Sequence, residues 1–376
     1  MSRAILITGG AGFIGSHLAE HLIEKDYRVR LYDNLNTQVH GPNAILPEYL
    51  RRSGIEFLKG EMNDNKMLKE AIEGINVIVH LAAETGVGQS MYEVEKYVKT
   101  NIQGTAILLE SLVNGKYQVE KIVLASSRAV YGEGKYECER CGIVYPPQRE
   151  LRQIKNKDWE LKCPYCKKSI KALPTNENSP LNPGSIYAVT KQTQEQLISN
   201  ICKSFKIPFV ILRYQNVYGP RQSLNNPYTG ILSIFSTRIM NNEPLLIFED
   251  GKESRDFVYI DDVIQATMLA IENKKLKGSV FNVGTGRKIS VQEVANILMR
   301  KFNSTLKPKI IEKGRIGDIR SCYADLTQIE KILGYKPKYN IEMGLVNFVD
   351  WVKSQPSFTD LSGKASKELK RRGLFI

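Results

Sequence analysis

Short apolar runs rich in β-branched residues alternate with longer stretches of helical periodicity through the first half of the chain. Residues 5–8, 29–33, 55–60, 77–82, 121–126 and 209–214 read as strands. Apolar runs of this length, bounded by turn residues, suit a sheet covered on both faces. Residues 14–25, 66–73, 92–113 and 187–205 carry helical spacing and fall between those strands. Strand and helix in alternation need crossover connections, so the pattern predicts an α/β fold on a parallel sheet.

Beyond Tyr214 the rhythm shortens and loops punctuated by Pro and Gly become frequent. The expectation is a doubly wound, Rossmann-type sheet over residues 1–215, with an insert at 133–175, and a smaller C-terminal α/β substrate domain over 216–354. Residues 281–284 and 290–301 are apolar enough to return to the first domain, so about 255–285 is expected to belong to it, making the domains discontinuous. The segment 355–376 reads as a polar, basic tail or arm.

No apolar stretch approaches the roughly 20 residues that span a bilayer. The N-terminal run is too short for a signal peptide and reads as a buried strand, so the cytoplasm is the expected compartment and no membrane partner is expected. The formal charge of +13 raises the question of nucleic acid, because clustered Lys and Arg neutralise phosphates. The basic residues are instead spread along the chain, without a recognition helix or an RNA-binding signature. An anionic small-molecule substrate fits this charge better.

The first strand runs into Thr8-Gly9-Gly10-Ala11-Gly12-Phe13-Ile14-Gly15. Glycines there permit a tight turn and let backbone N–H groups approach a pyrophosphate at a helix N-terminus. The next strand ends in Asp33, 18 residues beyond Gly15, near the spacing of a carboxylate on the adenosine ribose. A carboxylate at that place repels a 2′-phosphate, which favours NAD over NADP.

Tyr187 and Lys191 stand four apart in a helical stretch and so project from one face. A phenol, with pKa about 10, is a poor base at neutral pH; a neighbouring ammonium and a cationic nicotinamide are expected to favour the phenolate. Ser127 closes a strand just before Val130-Tyr131-Gly132, where a hydroxyl can hold a sugar oxygen.

The ordered set TGGAGFIG, Asp33, HLAA at residues 80–83, NIQGT at 101–105, SSRAVYG at 126–132 and YxxxK resembles the extended short-chain dehydrogenase/reductase family of nucleotide-sugar epimerases, dehydratases and decarboxylases. LRYQNVYGP at 212–220, Arg255-Asp256-Phe257 and Arg315-Ile316-Gly317-Asp318 extend that resemblance over almost the whole chain. It implies Ser127, Tyr187 and Lys191 as catalytic residues. It implies an NAD site of Gly9, Gly12, Phe13, Ile14, Gly15, Asp33, Asn34, Glu61, Met62, Leu81, Ala82, Ala83 and Asn101, with Tyr187 and Lys191. Asn216, Arg255, Arg315 and Asp318 match substrate-binding positions, and the two arginines suit a diphosphate through forked, charge-assisted hydrogen bonds. His80 and His17 fall in motifs where packing or a local hydrogen bond explains them.

Dehydratases of that family carry an Asp-Glu acid/base pair after the catalytic hydroxyl. This chain has Arg128-Ala129, so dehydration lacks its chemistry and epimerisation with retained NAD is expected. Residues 33–41, 86–92 with Gln89 and Ser90, the cysteine-bearing insert and 222–231 resemble dTDP-L-rhamnose 4-epimerases, which make dTDP-6-deoxy-L-talose. Gln89, Ser90 and residues 225–230 are then expected at the sugar. The alternatives are a UDP-sugar 4-epimerase of the UDP-glucose/galactose type, and, in another class, a zinc-ribbon nucleic-acid-binding NAD sensor or a silent scaffold. Arg221, after Gly-Pro, departs from the smaller residue expected there.

Cys138-x-x-Cys141 and Cys163-x-x-Cys166 are paired knuckles separated by 21 residues. Four thiolates at such spacing suit one structural zinc and leave no open coordination position. Disulfides are the main alternative, disfavoured in a reducing cytosol, and CxxC redox catalysis lacks its context. Cys202 and Cys322 read as buried apolar residues. A nucleotide-diphosphate sugar and a second copy of the chain, as a homodimer, are the expected partners.

Overall fold

The computed structural model describes residues 3–41, 43–52, 54–228, 230–356 and 360–376. Seven parallel strands form the central sheet: β1 (Ala4–Thr8), β2 (Arg28–Asp33), β3 (Ile55–Lys59), β4 (Val77–His80), β5 (Lys121–Ser127), β6 (Phe209–Tyr214) and β7 (Ser279–Val283). Their spatial order is β7-β6-β5-β4-β1-β2-β3. The chain therefore reverses its direction of sheet growth between β1 and β4, and a crevice opens there beyond the strands' C-terminal ends.

The register explains why the apolar runs are unbroken. Ile5 lies beside Val29 on one side and Val77 on the other, and Leu124 beside Ile211. Helices cover both faces, so every position of β1, β4 and β6 is buried. The helix Phe13–Ile23 packs against Ile260–Glu272 on one face, while Asn65–Ile72 and Gly104–Asn114 pack together on the other.

β7 restores residues 279–283 to this sheet beside β6, as their apolar pattern predicts. The neighbouring helix, Val291–Phe302, does not follow it. Its buried Val291, Val294, Ala295 and Leu298 pack toward Ile231–Met240 and Ile341–Ser354 in the smaller lobe. A helical stripe records only that a face is buried, and either lobe can cover it. The capping box of Ser290 and Glu293 starts that helix.

The helical stretch expected over 92–113 is interrupted. Val94–Tyr97, a π-helical stretch Val98–Gln103 and Gly104–Asn114 follow one another. The widened turn carries Asn101 inward, where it holds both Glu84 backbone groups and the Thr190 hydroxyl. Such bulges turn one side chain out of helical register.

The insert is a three-stranded antiparallel sheet of Tyr136–Cys138, Gly142–Val144 and Lys171–Ala172. It has its own small core of Tyr136, Cys138, Val144, Leu161, Cys163 and Ala172. The basic tail contains an ordered helix, Ser362–Arg371, which buries Ala365 and Leu369, one turn apart. Charge dominates its composition, and those two apolar positions lie on its buried side. No helix among the described residues is long and apolar enough to cross a membrane.

Candidate active site

The glycine turn lies in the crevice between β1 and β4. Gly9 adopts φ +69°, and a Cβ there would stand 2.8 Å from the Ala82 nitrogen. A Cβ added at Gly12 would stand 3.3 Å from the Gly9 oxygen, a tight approach to the backbone of the turn. A cavity of about 330 Å³ begins there and is lined by Gly9, Gly12, Phe13, Ile14, Gly15, Asp33, Asn34, Glu61, Met62, Leu81, Ala82 and Ala83. This cradle fits a dinucleotide: a glycine-lined turn at a helix N-terminus, apolar walls and a carboxylate at the next strand end. Asn101 is fully buried behind the wall, bonded as described.

Asp33 is more embedded than a free ribose ligand requires. One oxygen accepts the Ala11 N–H at 3.0 Å and the other the Leu35 N–H at 2.8 Å. His40 stands 3.7 Å away. Burial raises its pKa, opposed by the two N–H groups and His40. The carboxylate therefore ties the glycine turn to the β2 end, with lone pairs left on both oxygens for a ligand.

Ser127, Tyr187 and Lys191 line the far end of the same cavity. Ser127 ends β5, and its hydroxyl accepts the Ala129 N–H at 3.1 Å. The helix Ile186–Ser204, capped by Ser185, presents Tyr187 and Lys191 one turn apart. The Lys191 ammonium donates to the Ala125 carbonyl at 2.9 Å. Burial lowers its pKa to about 7, with Glu195 acting in the opposite sense. Burial raises the Tyr187 phenol; the groups that lower it are the Ser127 hydroxyl and the Arg128 guanidinium. The phenol thus stands above its usual value, not below it as expected; Ser127 and Arg128 oppose the rise, and the Lys191 ammonium is bonded to the Ala125 carbonyl.

Arg128 has no hydrogen bond or ion pair among the described residues. Its neighbours in the electrostatic field are Arg255, Cys322, Asp318 and Glu133. Its charge is felt by Tyr187, and the charge of Arg255 is felt by it. Sequence reasoning used Arg128 only to exclude dehydration; its position next to Ser127 was the signal for more. Gln38 was also missed, although it lies within the 33–41 motif. Its amide bonds Gln89 at 2.9 Å and Asn226 at 3.2 Å, and Gln38 and Asn226 line the cavity.

The remaining substrate positions lie outside that cavity wall. Gln89 is buried against Gln38, Glu93 and Tyr97. Ser90 is fully buried and donates to the Val87 carbonyl at 2.7 Å. Asn216 lies on Asn216–Tyr218, paired with Phe257–Tyr259. Arg255 is buried and donates to the Ser254 carbonyl at 2.8 Å. Arg315 bonds Asp318 at 2.8 Å, and Asp318 is held below the usual carboxylate range, against its burial, by Arg315 and Arg255. Arg315 thus contacts this carboxylate directly, while Arg255 and Arg149 act on it through the electrostatic field. Thr229, within the expected 225–230 segment, lies outside the described residues.

Arg221 does not edge the pocket. It adopts φ +68°, a region that favours glycine and explains the smaller residue expected. Its guanidinium stacks 4.1 Å from the Tyr49 ring centroid and pairs with Glu20 at 2.7 Å. His80 is locked between Thr8 and Thr105, and burial lowers its pKa to about 3. It stays neutral and structural.

The four insert cysteines carry no disulfide. Their sulfurs all lie within 4.8 Å of one another, Cys138 and Cys166 at 3.5 Å. Tetrahedral thiolates at about 2.3 Å from a metal stand about 3.8 Å apart, so the donor set fits a zinc-sized ion. Each knuckle is followed by a residue of positive φ, Gly142 or Lys167, which folds the turn back over its thiols.

The profile of the NAD dependent epimerase/dehydratase family matches residues 5–150 and 162–284. The dTDP-L-rhamnose 4-epimerase of Burkholderia thailandensis is 35% identical over 356 residues, covering 94% of this chain and 96% of that one. A putative UDP-glucose 4-epimerase of Methanocaldococcus jannaschii is 34% identical over 353 residues, covering 93% and 98%. Among solved structures, UDP-glucose 4-epimerase of Thermotoga maritima with UDP-glucose superposes with a TM-score of 0.76 at 31% identity, covering 93% of this chain and 98% of that one. UDP-glucuronic acid 4-epimerase of Bacillus cereus, in complex with UDP-glucuronic acid and NAD, superposes with a TM-score of 0.77 at 29% identity, covering 93% and 99%. A matched profile over more than half the chain, joined to a relative aligned along nearly all of it, places this protein in the NAD-dependent epimerase/dehydratase family.

Proposed function

We propose that this protein inverts C4 of a nucleotide sugar through a 4-keto intermediate, converting dTDP-L-rhamnose to dTDP-6-deoxy-L-talose. The carrying observation is that Ser127, Tyr187 and Lys191 meet the glycine cradle in one cavity. Bound NAD would supply the hydride acceptor and donor at C4. Gly9, Gly12 and Gly15 would lie along its pyrophosphate, Asp33 at its ribose, and Lys191 at its nicotinamide end.

In this reading Tyr187 takes the proton of the C4 hydroxyl and returns it at the end. Ser127 holds the same oxygen. Arg128 supports the phenolate, a task that burial makes necessary and an unpaired guanidinium meets. The keto sugar then presents its other face while Asn216, Arg255 and Arg315 grip the diphosphate, with Asp318 orienting Arg315. Gln38 and Asn226 form the wall nearest the sugar, Gln89 braces Gln38 from behind it, and Ser90 shapes that second layer.

Substrate choice rests on the Burkholderia relative and on the motifs around residues 33–41, 86–92 and 222–231. A UDP-sugar 4-epimerase is the second reading, favoured by the Methanocaldococcus and Thermotoga relatives. Incubation with dTDP-L-rhamnose, UDP-glucose and UDP-glucuronic acid, followed by chromatography of the sugars, decides between them. In deuterated water the C4 epimer should carry no label. Deuterium at C3 or C5 would replace this mechanism with an enolisation, and absence of any epimer from all three sugars would leave the NAD-sensor or scaffold readings.

Cys138, Cys141, Cys163 and Cys166 would hold one structural zinc; metal analysis should find one per chain, and two disulfides would contradict it. A second copy of the chain is the expected partner: Val94, Val98 and Val189 stand exposed on two helices that pack side by side. Sedimentation of the purified protein checks this.

A further inference from the structure

The loop that carries Arg315 has little regular structure of its own, yet it is held from two sides. On one side lies the segment 360–376. Gly314 and Ile376 exchange backbone hydrogen bonds of 3.0 Å, and the Ile316 N–H donates to the Leu374 carbonyl at 3.1 Å. Arg315 and Phe375 are thereby paired as antiparallel neighbours. On the other side lies the cysteine insert. Arg149 donates to the Asp318 carbonyl at 3.1 Å, while Ile154 and Trp159 press on Gly314 closely enough to exclude a side chain there.

The side chains repeat the arrangement. The Arg315 guanidinium lies 4.5 Å from the Phe248 ring centroid. The Phe375 ring meets Phe248 edge-on, with centroids 5.3 Å apart and planes at 85°. With its Nε on Asp318 and one face on Phe248, Arg315 is left with two terminal nitrogens that have no partner among the described residues. The same segment reaches the sugar end: Leu369 packs on Gly88, and Arg372 lies 4.4 Å over the Tyr92 ring.

We propose that Phe375, with Leu374 and Ile376, is a positioning residue that holds Arg315 ready for the diphosphate of the substrate. The inference rests on the reading of Arg315 as a diphosphate ligand. A long, unconstrained arginine loses its rotamer freedom on binding, whereas a stacked and hydrogen-bonded one has lost it on folding. Edge-to-face rings and a guanidinium on an aromatic face both have defined geometry, so the placement of Phe375 passes through Phe248 to Arg315. Gly314 takes the ribbon with its backbone while Ile154 and Trp159 of the insert lie against it. The segment and the insert therefore act as two jaws on one loop.

The test uses the full chain, Phe375→Ala, Phe375→Tyr, a chain ending at Gly373, Arg315→Ala and the double variant Phe375→Ala/Arg315→Ala. Affinity for dTDP and for UDP is measured by calorimetry, alongside melting temperature and co-purified NAD. Phe375→Ala and the shortened chain should bind the preferred nucleotide about tenfold more weakly, the scale of one lost charge-assisted contact. Phe375→Tyr should bind as the parent does, and NAD content should not change. Arg315→Ala should lose at least as much, and adding Phe375→Ala to it should cost less than about twofold more, because the two act through one contact. Undiminished affinity in both Phe375→Ala and the shortened chain overturns the proposal, as does a full additional loss in the double variant, which would mark a merely structural role. Unchanged affinity in Arg315→Ala sinks the diphosphate reading itself, and is told apart because it does not depend on Phe375.

Discussion

The cofactor end of the cleft and its nucleotide-sugar end are built by different means. At the cofactor end the ligand-facing groups leave the tips of β1, β2 and β4, and the N–H groups of Ala11 and Leu35, on neighbouring strand ends, fix the Asp33 carboxylate. At the other end Arg255 lies on a strand of two residues and Arg315 on a loop. Their surroundings are set by bonds between residues far apart in the chain. Arg149 of the insert forms a bidentate pair with Glu249 at 2.7 and 2.8 Å. Arg320 reaches Glu249, Asp250 and Glu160. A parallel sheet fixes its strand ends whatever ligand they meet, whereas a network of loops can be re-formed for another sugar without disturbing the sheet.

The largest expected effect bears on the junction between the two ends. Tyr187→Phe removes the proton acceptor and should lower kcat by about a thousandfold, while NAD content and nucleotide affinity stay near the parent's. Loss of NAD together with activity would mean that the junction and the cofactor end are not separable.

Each end contains a buried Arg–Glu pair, which allows a matched test. Arg149→Met leaves Glu249 short of its main partner and should lower unfolding stability by about 3 kcal/mol, read by denaturant titration, with NAD retained in the folded protein. Arg213 pairs with Glu195 at 2.7 Å beneath Ser126. Arg213→Met should lower stability comparably and also deplete NAD, because Glu195 supports the charge on Lys191. Equal NAD retention in both variants would erase the contrast.

Asp33→Ala should weaken NAD about tenfold or more, the scale of a lost charged hydrogen bond, and narrow the preference for NAD over NADP. Competition binding of the two cofactors checks this. Unaltered discrimination would confine Asp33 to its backbone bonds.

The most gradual effect is a pH dependence of the nucleotide-sugar end. Burial raises the Glu133 carboxyl to about 7, opposed by Arg149 and the Arg320 N–H. The folded state then binds a proton that the unfolded state has released, so stability falls as pH rises from about 4.5 to about 7. One proton contributes at most about 1.4 kcal/mol per pH unit. Glu133→Gln should remove that part of the slope in urea titrations across this range; identical slopes would discard it.

Much of this was legible in the chain itself. Unbroken apolar runs, helical spacing and the Gly9–Gly12–Gly15 turn determined the class of sheet and the cofactor cradle, because both arise from local periodicity and backbone conformation. The Cys138/Cys141 and Cys163/Cys166 spacing likewise announced the sulfur cluster. Only the tertiary structure decided that Val291–Phe302 serves the smaller lobe, that Asn101 turns inward on a π-helical stretch, and that Lys191 faces a carbonyl while the charge of Arg128 acts on Tyr187. It alone folded the basic tail back until Phe375 stood beside Arg315. Periodicity records how a residue relates to its neighbours a turn or a pleat away. It does not encode which distant surface covers an apolar stripe, or which of several lone pairs a charged side chain reaches, since those are settled by packing between segments that lie tens of residues apart.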